Sequence, residues 1–473
     1  MQRLAVDDGR LVDESGRRVR LRGVCVSGAL HLENYMVGFP GTESAMRHHL
    51  AAALGATRAD RFLQRVQDAM FTEDDMRFIA GLGMNVVRLA IGHRALEDPL
   101  SPFEYRTQAL NRIDDVLDWA ESAGIHVVLD LHSTPGWQNN DWHGDNPHRN
   151  SLLWHDRHSQ DRLVAMWAAL SERYRGRHVI AAFDVMNEPV SGAPFGRFGS
   201  AYEPDWAAFN AVHARLVQAV HDIDPDRVVV VEGDQWGTRF EGIDLPSRNV
   251  LLSAHHYHES LRRIAEYPVD RPDGERWDLD FHRTLLAAHE GVRWANQRGS
   301  DLWLGEFGSG YWGGLPEGRV RALDDQLTVF EEHDLHWTYW NYKDIGCAGM
   351  VHPNPASPYR SLVDPFVELK NELCTDPSNS HFIAADVRDA LVALASAVYR
   401  RLPHQDDFRG FTNFLGQAAL VNHVGHALQP AWCALFAGLD DEELDALADS
   451  FLLPNCVVEE RLVSVITAHL PVG

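Results

Sequence analysis

The chain has 473 residues, 45% of them hydrophobic and 23% charged, with room for one large α/β barrel plus an appendage or for two to three ordinary domains. Its net charge of −25 would repel nucleic acid and anionic membrane surfaces, so neither is expected as a partner. Five cysteines (Cys25, Cys347, Cys374, Cys433 and Cys456) form an odd set without a CxxC spacing, which argues against both a disulfide framework and a zinc site.

Taken in chain order, the first residues turn acidic at Asp7 and Asp8 before any apolar run appears. No export leader is therefore expected, and the cytoplasm is the expected location. No stretch approaches the roughly 18 apolar residues of a membrane helix. Residues 9–21 alternate on either side of a turn and predict a β-hairpin plugging a barrel floor. Strand patterns then follow at 21–27, 84–90, 125–131, 179–186, 227–232, 250–255, 302–305 and 336–341. Amphipathic helical patterns separate most of them, at 110–122, 160–174, 206–221, 281–297 and 319–332. Eight strands with helical crossovers predict a (β/α)8 TIM barrel.

Two parts exceed a minimal barrel. The connection after the first strand runs from His31 to about Glu73, with helical patterns at 43–54 and 58–70. Long βα connections lie on the catalytic face, so this one is expected to wall a pocket. The second excess is the tail. Ile383, Val387, Leu391, Leu394, Val398 and Leu402 form a helical stripe stopped by Pro403, and Asp440, Asp441, Glu442 and Glu443 open a later helix with the acidic first turn its dipole favours. The expected division is a barrel over 1–373 and a helical extension packed on it over 374–473.

Two carboxylates carry the chemistry. Glu188 closes the apolar run at 179–186 within Asn187-Glu188-Pro189, and Glu306 closes the run at 301–305. A carboxylate at the C-terminal end of a buried strand sits where a barrel keeps its reactive groups. A facing pair is what glycoside hydrolysis needs, one to protonate the leaving oxygen and one for the anomeric carbon.

Asn187-Glu188-Pro189 after a buried strand, with Glu306 ending a later one, resembles glycoside hydrolase family five over about residues 9–370. Six further positions match in order. The resemblance implies that Glu306 is the nucleophile and Glu188 the acid/base of a retaining double displacement, with no metal and no organic cofactor. Arg88 would hydrogen-bond the nucleophile, and His132 would line the sugar site. Asn187 would donate to the sugar 2-hydroxyl, and Trp340 would floor the subsite with its indole. His255 and Tyr257 have the family's His-x-Tyr spacing, so both can face the pocket while His256 turns away. The histidine would sit near the acid/base and the tyrosine would orient the nucleophile. Glu188 must hold a proton near neutral pH while Glu306 does not, an asymmetry expected from Arg88 and Tyr257.

Beyond these matches, Glu33, Trp137 and Trp142 are expected to read the sugar from the long loops. The long first connection, the crowded loop after strand three and the absent leader favour an exo-acting enzyme on small β-glycosides such as β-glucosides. The alternative is an endo-acting β-1,4-glucanase or mannanase, or an endo-glycosidase specific for a glycoconjugate. In every case the partner is a carbohydrate.

Overall fold

The computed structural model describes residues 1–192, 202–245, 248–258, 265–311, 314–375, 384–401 and 408–471. Eight strands close into an all-parallel barrel: β1 (Arg22–Leu30), β2 (Val86–Gly92), β3 (His126–Ser133), β4 (Ile180–Asp184), β5 (Val228–Glu232), β6 (Val250–His255), β7 (Leu302–Phe307) and β8 (His336–Tyr339). Each strand pairs with its sequence neighbours, and β8 pairs back onto β1 through Trp337 opposite Arg22. The strands are Val-, Ile- and Leu-rich because both faces are buried, one by the barrel interior and one by the helix layer. Register shifts occur along β1, β2 and β7, at or near the residues that end on the catalytic face. Arg88 and His132 lie within their strands rather than at or beyond their ends.

Several expectations are corrected. The N-terminal hairpin is Leu4–Asp7 with Arg10–Asp13, one turn earlier than expected. Its turn is Asp8-Gly9, both at positive φ (45° and 75°), the pair that a two-residue hairpin loop favours. Around Gly16 only an isolated bridge forms, Val12 to Arg18. The hairpin does close the floor, since Leu4, Leu11 and Leu21 share one core with Val86, Val128, Val230 and Trp303. The helical pattern at 281–297 is two helices, Leu279–Ala288 and Glu290–Arg298. His289 adopts an extended conformation between them and caps the second through Gly291 N–H.

The first connection carries α1 (Glu43–Leu54) and α2 (Ala56–Met70). These stand over the C-terminal rim of the barrel, where a second core joins Tyr35, Phe39, Leu50, Phe62 and Val66 to Trp340 and to Val363 of α3 (Pro358–Glu372). The tail completes that core. Trp432 of α4 (Gly425–Ala434) packs on Phe39, and Phe436 packs on Phe62. Gln429 donates to the Pro40 and Thr42 carbonyls. Along α5 (Asp441–Asp449), Asp441, Asp445 and Asp449 pair with Arg58, Arg61 and Arg65 of α2 at 2.5–2.8 Å. Asp440 caps α5 in a reciprocal box with Glu443, which accounts for the acidic opening.

The stripe expected at 383–402 does not pack as one face. Ile383, Leu402 and Pro403 lie outside the described residues. Within the helix Ala385–Tyr399, Leu391 and Ala395 are buried but Leu394 is 51% exposed. Tyr399 instead meets Phe408 and Phe411 of the next helix. The end of the chain is not purely helical, because Cys456–Val458 pairs antiparallel with Val351–Pro353. Among the described residues no helix is long and apolar enough to cross a membrane.

Candidate active site

Arg88, wholly buried on β2, organises the catalytic end of the barrel. Its guanidinium donates to Glu306 Oε1 (2.7 Å), Glu232 Oε1 (2.7 Å), Asn187 Oδ1 (2.9 Å) and Asp184 Oδ2 (3.0 Å), and lies 3.2 Å from Asp130. A planar fork with five donors is the side chain suited to such a position. Four buried carboxyls around one guanidinium cannot all ionise. Asp130 is pushed far above its ordinary range by burial, and Asp184 is raised to about 8 by burial and by neighbouring Glu232.

Glu188 follows β4 in a left-handed backbone conformation (φ 46°), costly for a residue with a side chain. Glu232 at the end of β5 holds it there by accepting the Glu188 backbone N–H at 2.7 Å. Glu306 is fixed from both sides, by Arg88 on Oε1 and by the Tyr257 hydroxyl on Oε2 at 2.9 Å. An oxygen of Glu188, an oxygen of Glu306 and a ring nitrogen of His255 all lie within 4.8 Å of one another. His255 Nδ1 donates to Glu188 Oε1 (2.7 Å), and its Nε2 is 3.2 Å from Glu232. His256 turns outward to Gln326 in the helix layer.

A second group of side chains adjoins the carboxylates. His132 is stacked flat on Trp340, with centroids 4.9 Å apart and planes at 9°, and is bonded through Nδ1 to Asp130 at 2.7 Å. Its Nε2 is 3.3 Å from Glu33, and the Asn187 amide nitrogen is 3.4 Å from the same atom. Trp142 meets Tyr35 edge-on, which brings the loop after β3 against the first connection. Trp137 stands apart from this group. Its indole donates to the Asp145 carbonyl and its ring abuts His148, so its contacts are internal to its own loop.

Two residues at the site carry no mark in the sequence reading, Glu232 and Tyr35, and a third, His143, stands in the sugar-reading stretch 137–143 without a role of its own. Glu232 closes Val228-Val229-Val230-Val231 in the way that Glu188 and Glu306 close their runs, so the same signal was present. Tyr35 accepts hydrogen bonds from the Trp340 indole (2.5 Å) and the Asn341 amide (2.9 Å). His143 Nε2 lies 2.8 Å from Glu188 Oε2.

The protonation pattern differs from the expected asymmetry. Burial alone would raise Glu188, but the charge and hydrogen bonds of His143 and His255 outweigh it and hold the carboxyl well below the usual range. His143 is raised to about 9, Glu188 and its other acidic neighbours overcoming its burial. Glu306 is raised, because burial and the nearby Glu188 and Glu232 outweigh His255 and Arg88. Around Glu188 the proton is therefore favoured on the flanking imidazoles rather than on the carboxyl.

Among the described residues, two groups of three could in principle share an ion, His31–Glu33–His132 and Glu188–His255–Glu306. In the first, His132 Nδ1 is bonded to Asp130 and its Nε2, the remaining ligand atom, already faces the Asn187 amide and Glu33. In the second, the groups pair with one another, and Arg88 beside Glu306 opposes a further cation. Neither reads as a metal site.

A closed parallel barrel with two carboxylates converging at the C-terminal ends of β4 and β7 defines the class of (β/α)8 glycoside hydrolases. The family model Cellulase (glycosyl hydrolase family 5) matches residues 56–346. A beta-xylosidase from Phanerodontia chrysosporium is 30% identical over 99% of this chain and 98% of its own. Endoglucanase C of Acetivibrio thermocellus is 26% identical over 59% of this chain and 85% of its own. Among solved structures, a glycoside hydrolase at 22% identity superposes with a TM-score of 0.51 over 74% of this chain and 99% of that one, which supports the fold. The chain belongs to glycoside hydrolase family 5 and is an O-glycoside hydrolase.

Proposed function

We propose that this chain is a retaining, exo-acting β-glycosidase that releases a single sugar from small β-glycosides, with β-xylosides ahead of β-glucosides. The observation that carries the exo reading is enclosure. Glu33, Tyr35, His132, Glu188, Glu306 and Trp340 are each less than 10% exposed, behind a wall built from the first connection and braced by the tail. A polymer chain needs an open groove with sugar bound on both sides of the cut, whereas a pocket closed at one end admits a chain terminus or a small glycoside. Support for xylose comes from the beta-xylosidase, whose match runs through the wall and the tail, while the endoglucanase match covers 59% of the chain.

In this reading Glu306 attacks the anomeric carbon and Glu188 protonates the departing oxygen. The resulting glycosyl ester is hydrolysed by a water that Glu188 deprotonates, so configuration is retained. Oxygens of the two carboxylates within 4.8 Å of each other support double displacement. Inverting pairs stand about 6.5–9.5 Å apart to admit a water. Arg88 and Tyr257 aim the Glu306 carboxylate. The Asn187 amide nitrogen, its oxygen fixed by Arg88 and one hydrogen turned toward His132, has a second hydrogen to donate to the sugar 2-hydroxyl. Trp340 offers its face to the ring, and Glu33 and His132 read hydroxyls.

The test is hydrolysis of 4-nitrophenyl β-xyloside, glucoside, mannoside, galactoside and fucoside beside soluble cellulose and mannan, with Glu306→Ala as control. Turnover of the xyloside, alone or with the glucoside, and none of the polymers is expected. Polymer cleavage without monoglycoside turnover would overturn the reading in favour of an endo-enzyme.

A further inference from the structure

Both oxygens of Glu188 are engaged by imidazoles, Oε1 by His255 and Oε2 by His143. The two are not equivalent. His255 lies within 3.5 Å of three carboxylates, Glu188, Glu232 and Glu306, and Glu232, which takes no part in bond making or breaking, holds its proton through every step. His143 makes its close ionic contact with Glu188 alone, and its side chain keeps 14% of its surface exposed, enough to exchange protons with solvent.

The loop that presents His143 is built for it. A 3-10 turn at Trp142–Gly144 is closed by Asp145 in a left-handed conformation (φ 56°). Asp145 is tied to Ser44 on α1 by two 2.9 Å hydrogen bonds and to Arg94 at 3.1 Å. Asn139 ties the same loop to the acid itself, donating to the Glu188 carbonyl at 3.1 Å. Gly144 lies so close that a Cβ there would stand 2.8 Å from Asn139 Oδ1.

We propose that His143 is the proton-holding partner of Glu188, a positioning residue that supplies and recovers the proton of the acid/base cycle. The inference rests on the retaining mechanism proposed above. Before the first step His143 is an imidazolium beside the Glu188 carboxylate. As the glycoside enters and displaces water, the charge-separated pair loses solvation and the neutral pair is favoured. The Nε2 proton passes to Glu188 Oε2 and from there to the glycosidic oxygen as its bond to the anomeric carbon breaks and the Glu306 ester forms. This leaves neutral His143 beside an ionised Glu188, ready to act as a base. In the second step water gives its hydroxyl to the sugar and its proton to Glu188, which returns it to His143 as the Glu306 carboxylate is released. Protons and charge balance over the cycle. Around the imidazole stand Glu188, Asp141 and Glu33, which favour its charged form, and His31 and His132 across the pocket, which oppose it. The raised value of about 9 for His143 agrees with this reservoir role.

The test compares wild type with His143→Gln, which keeps a hydrogen-bond donor and cannot titrate. In wild type the basic limb of kcat/KM belongs to the His143–Glu188 pair. In the variant that limb is expected to fall by at least about one pH unit. Methyl and 4-methoxyphenyl glycosides, which need the acid, should lose roughly 10- to 100-fold in kcat/KM, and a 2,4-dinitrophenyl glycoside less than about threefold. Added imidazole should restore part of the activity of His143→Ala. An unmoved basic limb with equal losses across leaving groups would overturn the proposal. A second measurement needs no turnover: the ring-nitrogen NMR titration of His143, assigned by its absence in His143→Gln. It should fall toward about 6.5 in Glu188→Gln, and a titration indifferent to Glu188 would contradict the pairing. If wild type hydrolyses none of the glycosides, the proposed function fails, and this titration still decides the pair.

Discussion

The hydroxyl of Tyr35, four residues into the first connection, accepts the indole N–H of Trp340 at 2.5 Å, which ties the inserted wall to the residue that follows the last barrel strand. The same oxygen accepts the Asn341 amide at 2.9 Å. Trp340 is thereby fixed in two directions, flat against His132 on one side and through its ring nitrogen on the other.

Tyr35→Phe leaves two buried donors without an acceptor, a cost of about 1–3 kcal/mol. Steady-state kinetics should show a KM raised roughly tenfold with a smaller change in kcat, since the sugar platform loosens while the carboxylates keep their own supports. Kinetics indistinguishable from wild type would show that Trp340 is held by packing alone.

Arg88→Lys should behave as a drastic substitution. One ammonium cannot replace bonds to Asp184, Asn187, Glu232 and Glu306, and several buried carboxyls would lose their shared counter-ion. Thermal and urea unfolding should show a loss of about 3–5 kcal/mol. Glycosidase activity should drop by at least about 100-fold. A variant of wild-type stability would mean that the carboxyls around Arg88 are already neutral.

At the barrel floor, Asp301 accepts the Leu11 N–H (2.9 Å) and Arg18 (2.7 Å), and lies 3.2 Å from His336 Nε2. His336 accepts the Leu21 N–H on Nδ1, so its proton is on Nε2, the nitrogen 3.2 Å from Asp301. Burial alone would raise Asp301, but these hydrogen bonds prevail and hold it below the usual carboxylate range. A depressed carboxyl contributes stability that is complete above its unfolded value of about 3.9 and is lost as pH falls through the folded value. Asp301→Asn should therefore cost about 1–3 kcal/mol at pH 7 and flatten the acid side of a Tm–pH curve below about pH 4. Parallel wild-type and variant curves down to pH 2 would contradict the linkage.

The barrel was legible because each strand is a continuous apolar run between turn residues, and the positions of Glu188 and Glu306 were legible because each closes such a run. Glu232 closes one too and was passed over, although it holds the Glu188 backbone and pairs with Arg88. Tyr35 and His143 were hidden for a different reason. They sit in connections whose shape is set by distant chain, such as Gln429 bonding to Pro40 and Thr42, or Asn422 donating to the Asn146 carbonyl. No local periodicity records contacts of that range. Trp137 illustrates the converse, since composition put it among sugar-reading groups and its loop turned it toward Asp145. In the tail, helical spacing identified the segment, but the neighbouring helix decided which face was buried.

In the proposed retaining cycle Glu306 forms a covalent bond to the sugar. The direct measurement is mass spectrometry of the protein after treatment with a 2-deoxy-2-fluoro-β-glycosyl fluoride of the preferred sugar, followed by peptide mapping. One added sugar per chain is expected, carried by the peptide containing Glu306 and absent in Glu306→Gln. An adduct on another carboxylate, or none from an enzyme that hydrolyses the matching aryl glycoside, would contradict it.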